Sequence, residues 1–203
     1  MSALKLITEW SAWEYDKEKT LTEASSNGGR YIMRGILQKA NTLNQNGRVY
    51  PMDILEREVR NYQKFIAENR ALGELDHPDS SVVELKNASH IVREAYMQGD
   101  ICYGSVEILD TPSGKILKSL VDSGVTLGIS SRGVGSTRKE GDYQVVQDDF
   151  QLICWDFVTE PSTPGAFMMK EGKEINESDL NRHFTKSDRI DRIFNDIMSW
   201  RKE

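Results

Sequence analysis

The sequence has little cysteine, little histidine, no long apolar run and no excess of positive charge. Its two cysteines, Cys102 and Cys154, lie far apart in segments that read as strands. Two thiols cannot build a disulfide scaffold, and no cysteine–histidine spacing of the zinc type occurs, so both are expected buried and reduced. The longest apolar runs are too short to span a bilayer. The start, Met1-Ser2-Ala3-Leu4-Lys5, lacks the apolar core of a signal peptide, so an intracellular protein is expected. Lys and Arg total 26 against 32 Asp and Glu, a net charge of −6. Proteins that coat phosphates normally present a basic surface, so neither nucleic acid nor an anionic membrane is an expected partner.

What is present fits one soluble domain with a real core: 203 residues, 38% hydrophobic and 29% charged. Residues 1–29 are polar and irregular and read as an arm. Tyr31 to Leu37 reads as a strand and Asn41 to Arg48 as a polar connection. Pro51 opens a helix that runs to about Asn69, with Ile54, Leu55, Val59, Tyr62 and Phe65 at helical spacing. Leu72 to Pro78 is a short segment stopped by proline. His90 to Met97 and Ile101 to Leu109 read as strands joined by the turn Gln98-Gly99-Asp100. Thr111-Pro112 starts a second helix, carrying Ile116, Leu117, Leu120 and Val121, which Gly124 ends. Val125 to Ser130, Tyr143 to Val146 and Phe150 to Val158 read as further strands. Beyond a charged stretch from Lys170 to Asp188, Ile190, Ile193, Phe194, Ile197 and Met198 form one apolar helical face. Many short strands with two internal helices predict an α+β fold, a small barrel or sandwich flanked by helices.

Three places could carry chemistry. His77 lies in Gly73-Glu74-Leu75-Asp76-His77-Pro78, where a histidine at a strand end can move a proton near neutral pH. Taken alone, such a histidine is more often an ordinary turn or surface residue. Ser130 lies in Gly128-Ile129-Ser130-Ser131-Arg132-Gly133. Glycines there would let a substrate backbone approach, and amides just after the serine could hold an oxyanion, though many turns share the pattern. Asp156, in Cys154-Trp155-Asp156-Phe157-Val158, needs a partner if buried: it either orients an imidazole, or faces solvent or pairs with Arg132. His183, in the charged tail, reads as solvated. A metal site from Glu74, Asp76 and His77 is a poor fit, because those ligands are adjacent rather than spaced along an element.

In order, these segments resemble the prohead core proteases of T-even-type tailed phages, distant relatives of the HK-type prohead proteases and the herpesvirus assemblins. The resemblance covers roughly residues 30–168. It is carried by Asn46-Gly47-Arg48-Val49-Tyr50-Pro51 before a helix, Leu72 to Pro78, Tyr103-Gly104, Gly128 to Ser136, Asp156 to Ser162 and Pro164-Gly165-Ala166. It implies a serine endopeptidase on a small, mostly antiparallel, assemblin-like β-barrel surrounded by helices. It implies Ser130 as nucleophile, His77 as general base and Asp156 as third member, with His90 and Glu74 as alternatives. It implies an oxyanion and substrate site near Ser131, Arg132 and Gly133, and no metal or cofactor.

The substrates implied are scaffold and capsid precursor proteins, cut after glutamate with an aliphatic residue two positions earlier, inside the prohead in the host cytoplasm. Self-association or prohead incorporation is also implied. The chain's own ends carry such tripeptides, at Ile7-Thr8-Glu9, Leu21-Thr22-Glu23 and Ile175-Asn176-Glu177, so self-cleavage after Glu23 and Glu177 is expected. The division implied is a flexible arm or propeptide over 1–29, a protease domain over 30–168, and a removable linker and helix over 169–203. The competing expectation is an inactive, scaffold-associated β-barrel protein.

Overall fold

The structure, a computed structural model, describes residues 5–8, 11–12, 29–78, 80–125, 127–159 and 190. Tyr31–Lys39 (β3), Leu72–Glu74 (β5), Ala88–Gln98 (β6) and Ile101–Ile108 (β7) form one antiparallel sheet in the order β3-β7-β6-β5. Gly99, at φ +60°, makes the expected tight turn between β6 and β7. A second sheet centres on Gly128–Gly135 (β8). It pairs with Gln151–Val158 (β11) on one side, and with Lys5–Thr8 (β1) and Ser11–Ala12 (β2) on the other, all antiparallel. A third, small sheet joins Arg48–Val49 (β4), Thr137–Glu140 (β9) and Tyr143–Val146 (β10), with Gly141 turning the β9–β10 hairpin.

Among the described residues, two long α-helices pack on this frame. Met52–Ala67 (α1) buries the five apolar residues expected from its periodicity, and also Glu58. That carboxylate is satisfied: its Oε2 accepts the Leu152 amide at 2.8 Å, beside the bulge where β11 shifts register against β8. Arg57 donates to the Phe150 carbonyl at 2.9 Å, so α1 is tied to the start of β11 twice. Pro112–Asp122 (α2) is capped by Thr111, whose hydroxyl accepts the Gly114 amide at 3.0 Å, and Gly124 at φ +78° ends it.

The α+β class with mostly antiparallel strands is as expected, but a closed barrel is not what the described strands form. They make three sheets. The sheets containing β5 and β11 meet through one bridge, Leu75 to Phe157, because β5 is three residues long and its chain turns away at Asp76. Two further expectations shift. The strand read over Val125 to Ser130 runs further: β8 starts at Gly128 and continues through Gly135 with every residue buried. The N-terminal arm is not wholly outside the core, since β1 pairs with β8 and Ile7 is 3% exposed. The expected apolar face of the last helix, apart from Ile190, lies outside the described residues, as do Glu23, Glu177 and His183.

Candidate active site

Register brings the first two groups together. On β8 and β11, Ser130 is paired with Asp156 and Arg132 with Cys154, so alternation sends all four side chains to one face. The third group arrives from β5. The Leu75 bridge and the Asp76 amide, bonded to the Phe157 carbonyl at 2.7 Å, lay that chain along β11. Asp76 then adopts φ +69°, a left-handed conformation that aspartate tolerates better than most residues. Its carboxylate accepts the His77 amide at 2.9 Å and steadies the turn. The result aims the His77 ring over the Ser130–Asp156 pair.

The distances form a continuous chain. The Ser130 hydroxyl donates to His77 Nε2 at 2.6 Å, and His77 Nδ1–H donates to Asp156 Oδ2 at 2.8 Å. Ser130 and His77 are 53 residues apart in sequence. Asp156 is fully buried and crowded with donors. Its Oδ1 accepts the Glu74 amide at 2.9 Å, Arg132 Nη2 at 3.2 Å and the Cys154 thiol at 3.3 Å, while Oδ2 also accepts Arg132 Nε at 2.8 Å. Burial alone would raise the pKa of this carboxyl. Arg132 first, then His77 and the Glu74 amide, outweigh that and hold it well below the usual carboxylate range. A permanent anion beneath the ring keeps the proton on Nδ1 and leaves Nε2 free to accept. His77 keeps 16% of its side-chain surface in solvent, whereas Asp156 keeps none, so the chain of bonds opens outward at the histidine.

Asp156 does not face solvent: it bonds both to His77 and to Arg132. The alternatives stand elsewhere. His90 is buried between the Ser89 hydroxyl and the Trp155 carbonyl, at 2.9 Å each, and Glu74 binds Arg132 and the Glu84 amide. The residues expected at the oxyanion and substrate site are all buried. Arg132 is closed inside ion pairs. The Ser131 side chain falls on the opposite face from Ser130, and its hydroxyl finds no partner among the described residues. Gly133 packs beneath the Phe150 ring, where an added Cβ would come within 2.4 Å of a ring carbon. Arg132 and Gly133 also have strand partners on both sides, β11 and β1, so ladder pairing competes for their backbone groups. Glu74, Asp76 and His77 spend their polar atoms on different partners rather than on a common point.

Comparison with known proteins is decisive on kinship. Residues 14–180 match the family described as prohead core protein serine protease. The chain belongs to this family. It is 35% identical over 165 residues to the prohead core protein protease of Enterobacteria phage T4, covering 79% of this chain and 76% of the relative. It also resembles the solved structure of the bacteriophage T4 capsid assembly protease. That match has TM-score 0.69 and 26% identity, and covers 79% of this chain and 100% of the other. The chain is thus a phage prohead maturation protease. Sequence reasoning offered the Arg132–Asp156 pair but missed Glu74 as the second carboxylate on the Arg132 guanidinium. The signal available was two like charges and one opposite charge in otherwise apolar strand segments.

Proposed function

We propose that this prohead protease is a serine endopeptidase acting through Ser130, His77 and Asp156. The observation that carries the reading is the unbroken hydrogen-bond chain from the Ser130 hydroxyl through His77 to a buried, ionised Asp156. In acyl transfer, His77 Nε2 takes the Ser130 proton as Oγ attacks the scissile carbonyl. Asp156 keeps the imidazole in the right tautomer and stabilises the imidazolium that forms. His77 then gives the proton to the leaving amine, and water, deprotonated by the same nitrogen, releases the acyl group. The oxyanion is held by the backbone N–H of Ser131, immediately after the nucleophile.

The substrates are phage scaffold and capsid precursor proteins, met inside the prohead in the host cytoplasm. Cleavage falls after glutamate with an aliphatic residue two positions before it. By the same preference the protease cuts its own ends after Glu23 and Glu177. The second cut separates the segment carrying Ile193 and Phe194, which serves in self-association or prohead incorporation.

The test is intact-mass analysis of the chain beside Ser130→Ala, each incubated with the scaffold and capsid precursors of its own phage. The native chain is expected to shorten at Glu23 or Glu177 and to cut the scaffold, while folded Ser130→Ala does neither. Equal cutting by both proteins removes Ser130 from the mechanism.

A further inference from the structure

The triad leaves a buried charged pair beside it without a role. Arg132 and Glu74 side chains are both fully inaccessible and bonded to each other. Two buried charges are a poor way to gain stability, because desolvation offsets their attraction. Their bonds point instead to the site. Arg132 grips both oxygens of Asp156, through Nε at 2.8 Å and Nη2 at 3.2 Å, and its Nη1 donates to the Ser80 carbonyl at 2.7 Å. Glu74 donates its own amide to Asp156 Oδ1 at 2.9 Å, and its Oε1 accepts the Glu84 amide at 2.9 Å. The same two residues therefore hold the orienting carboxylate and, at Ser80 and Glu84, the segment that follows His77.

We propose that Glu74 and Arg132 are positioning residues, a charged clamp that aims Asp156 at His77 and balances the charge formed on His77 during acyl transfer. The proposal rests on the reading of Ser130, His77 and Asp156 as the triad. The charges make the case. The titratable and charged groups facing the His77–Asp156 pair are Asp76 on its own turn, Glu74 on β5, Ser130 and Arg132 on β8, Cys154 on β11, His90 on β6 and Tyr62 on α1. With neutral His77, the buried set of Glu74, Arg132 and Asp156 sums to one negative charge. When His77 takes the Ser130 proton, the set becomes neutral. Glu74 supplies that surplus charge, and Arg132 keeps two carboxylates from repelling each other. A lysine could carry the charge of Arg132 but not its planar fork.

The experiment uses the full chain and a fluorophosphonate, which forms an O–P bond to the nucleophilic serine as fluoride leaves and the hydroxyl proton passes to the base. The rate of mass gain is followed against pH for the native protein, Glu74→Gln, Arg132→Met and Arg132→Lys, each checked for native near-ultraviolet dichroism. Removing the Glu74 charge should move the acid limb of the profile to lower pH. Removing the Arg132 charge should move it to higher pH, each by about one pH unit. Arg132→Lys should leave the limb in place and slow labelling about tenfold on the plateau, as expected when a bidentate partner is lost. Should Arg132→Met not fold, Glu74→Gln and Arg132→Lys still decide the matter. Variants that slow labelling while every acid limb stays at the native pH would make the pair merely structural and overturn the proposal. No labelling of Ser130 in the native chain would overturn the triad reading, and the clamp with it.

Discussion

His90 shows how a buried histidine can be structural. Its Nε2–H donates to the Trp155 carbonyl and its Nδ1 accepts from Ser89, so the neutral ring is satisfied at both nitrogens, with Phe157 edge-on at 4.8 Å. Burial pushes its pKa down to about 4, against smaller raising effects from Asp156 and the Trp155 carbonyl. The unfolded chain takes up a proton on this residue near pH 6.5, roughly its ordinary value, while the folded chain resists until about pH 4. The folded state is therefore fully favoured by His90 above about pH 6.5 and loses that advantage as pH falls towards 4, by about 3 kcal/mol in all. Urea denaturation from pH 7 to 4 should show a shallower fall for His90→Gln than for the native protein. Parallel curves would mean that His90 does not carry this part of the pH dependence.

At the level of elements, the site depends on three strands meeting with no spare room. Gly73 on β5 lies where an added Cβ would stand 2.1 Å from the Trp155 carbonyl oxygen and 2.3 Å from His90 Nε2. Gly73→Ala should force β5 away from β11, costing about 3 kcal/mol in a denaturant titration, and the displaced His77 should slow labelling of Ser130 as well. An unchanged unfolding midpoint would show that β5 can shift freely. This crowding was not legible in the sequence, where Gly73 reads only as part of a polar-ended segment. The helices were legible, because Ile54, Leu55, Val59, Tyr62 and Phe65 repeat at 3.6-residue spacing whatever they pack against. β9 was not, since Thr137–Glu140 is polar, only partly buried and held mainly by its hairpin partner.

At the scale of the molecule, the first dozen residues belong to the second sheet over the part described. β1 meets β8 at its far end in sequence, with Lys5 opposite Gly135 and Ile7 opposite Gly133, and Ile7 is buried. A chain starting at residue 13 should lose about 2 kcal/mol in urea unfolding, the order expected for exposing one isoleucine. Equal stability would return this stretch to the status of an arm. The sequence by itself determined the chemistry available: a histidine before proline, a serine among glycines, an aspartate in an apolar run, and the helices whose periodicity is local. Only the tertiary structure decided that Asp156 rather than His90 or Glu74 bonds to His77, and that the Arg132 guanidinium is closed inside ion pairs with Glu74 and Asp156. The reason is physical. Strand register pairs Ser130 with Asp156 and puts Arg132 on the same buried face, and register is a long-range property that no local window of residues encodes.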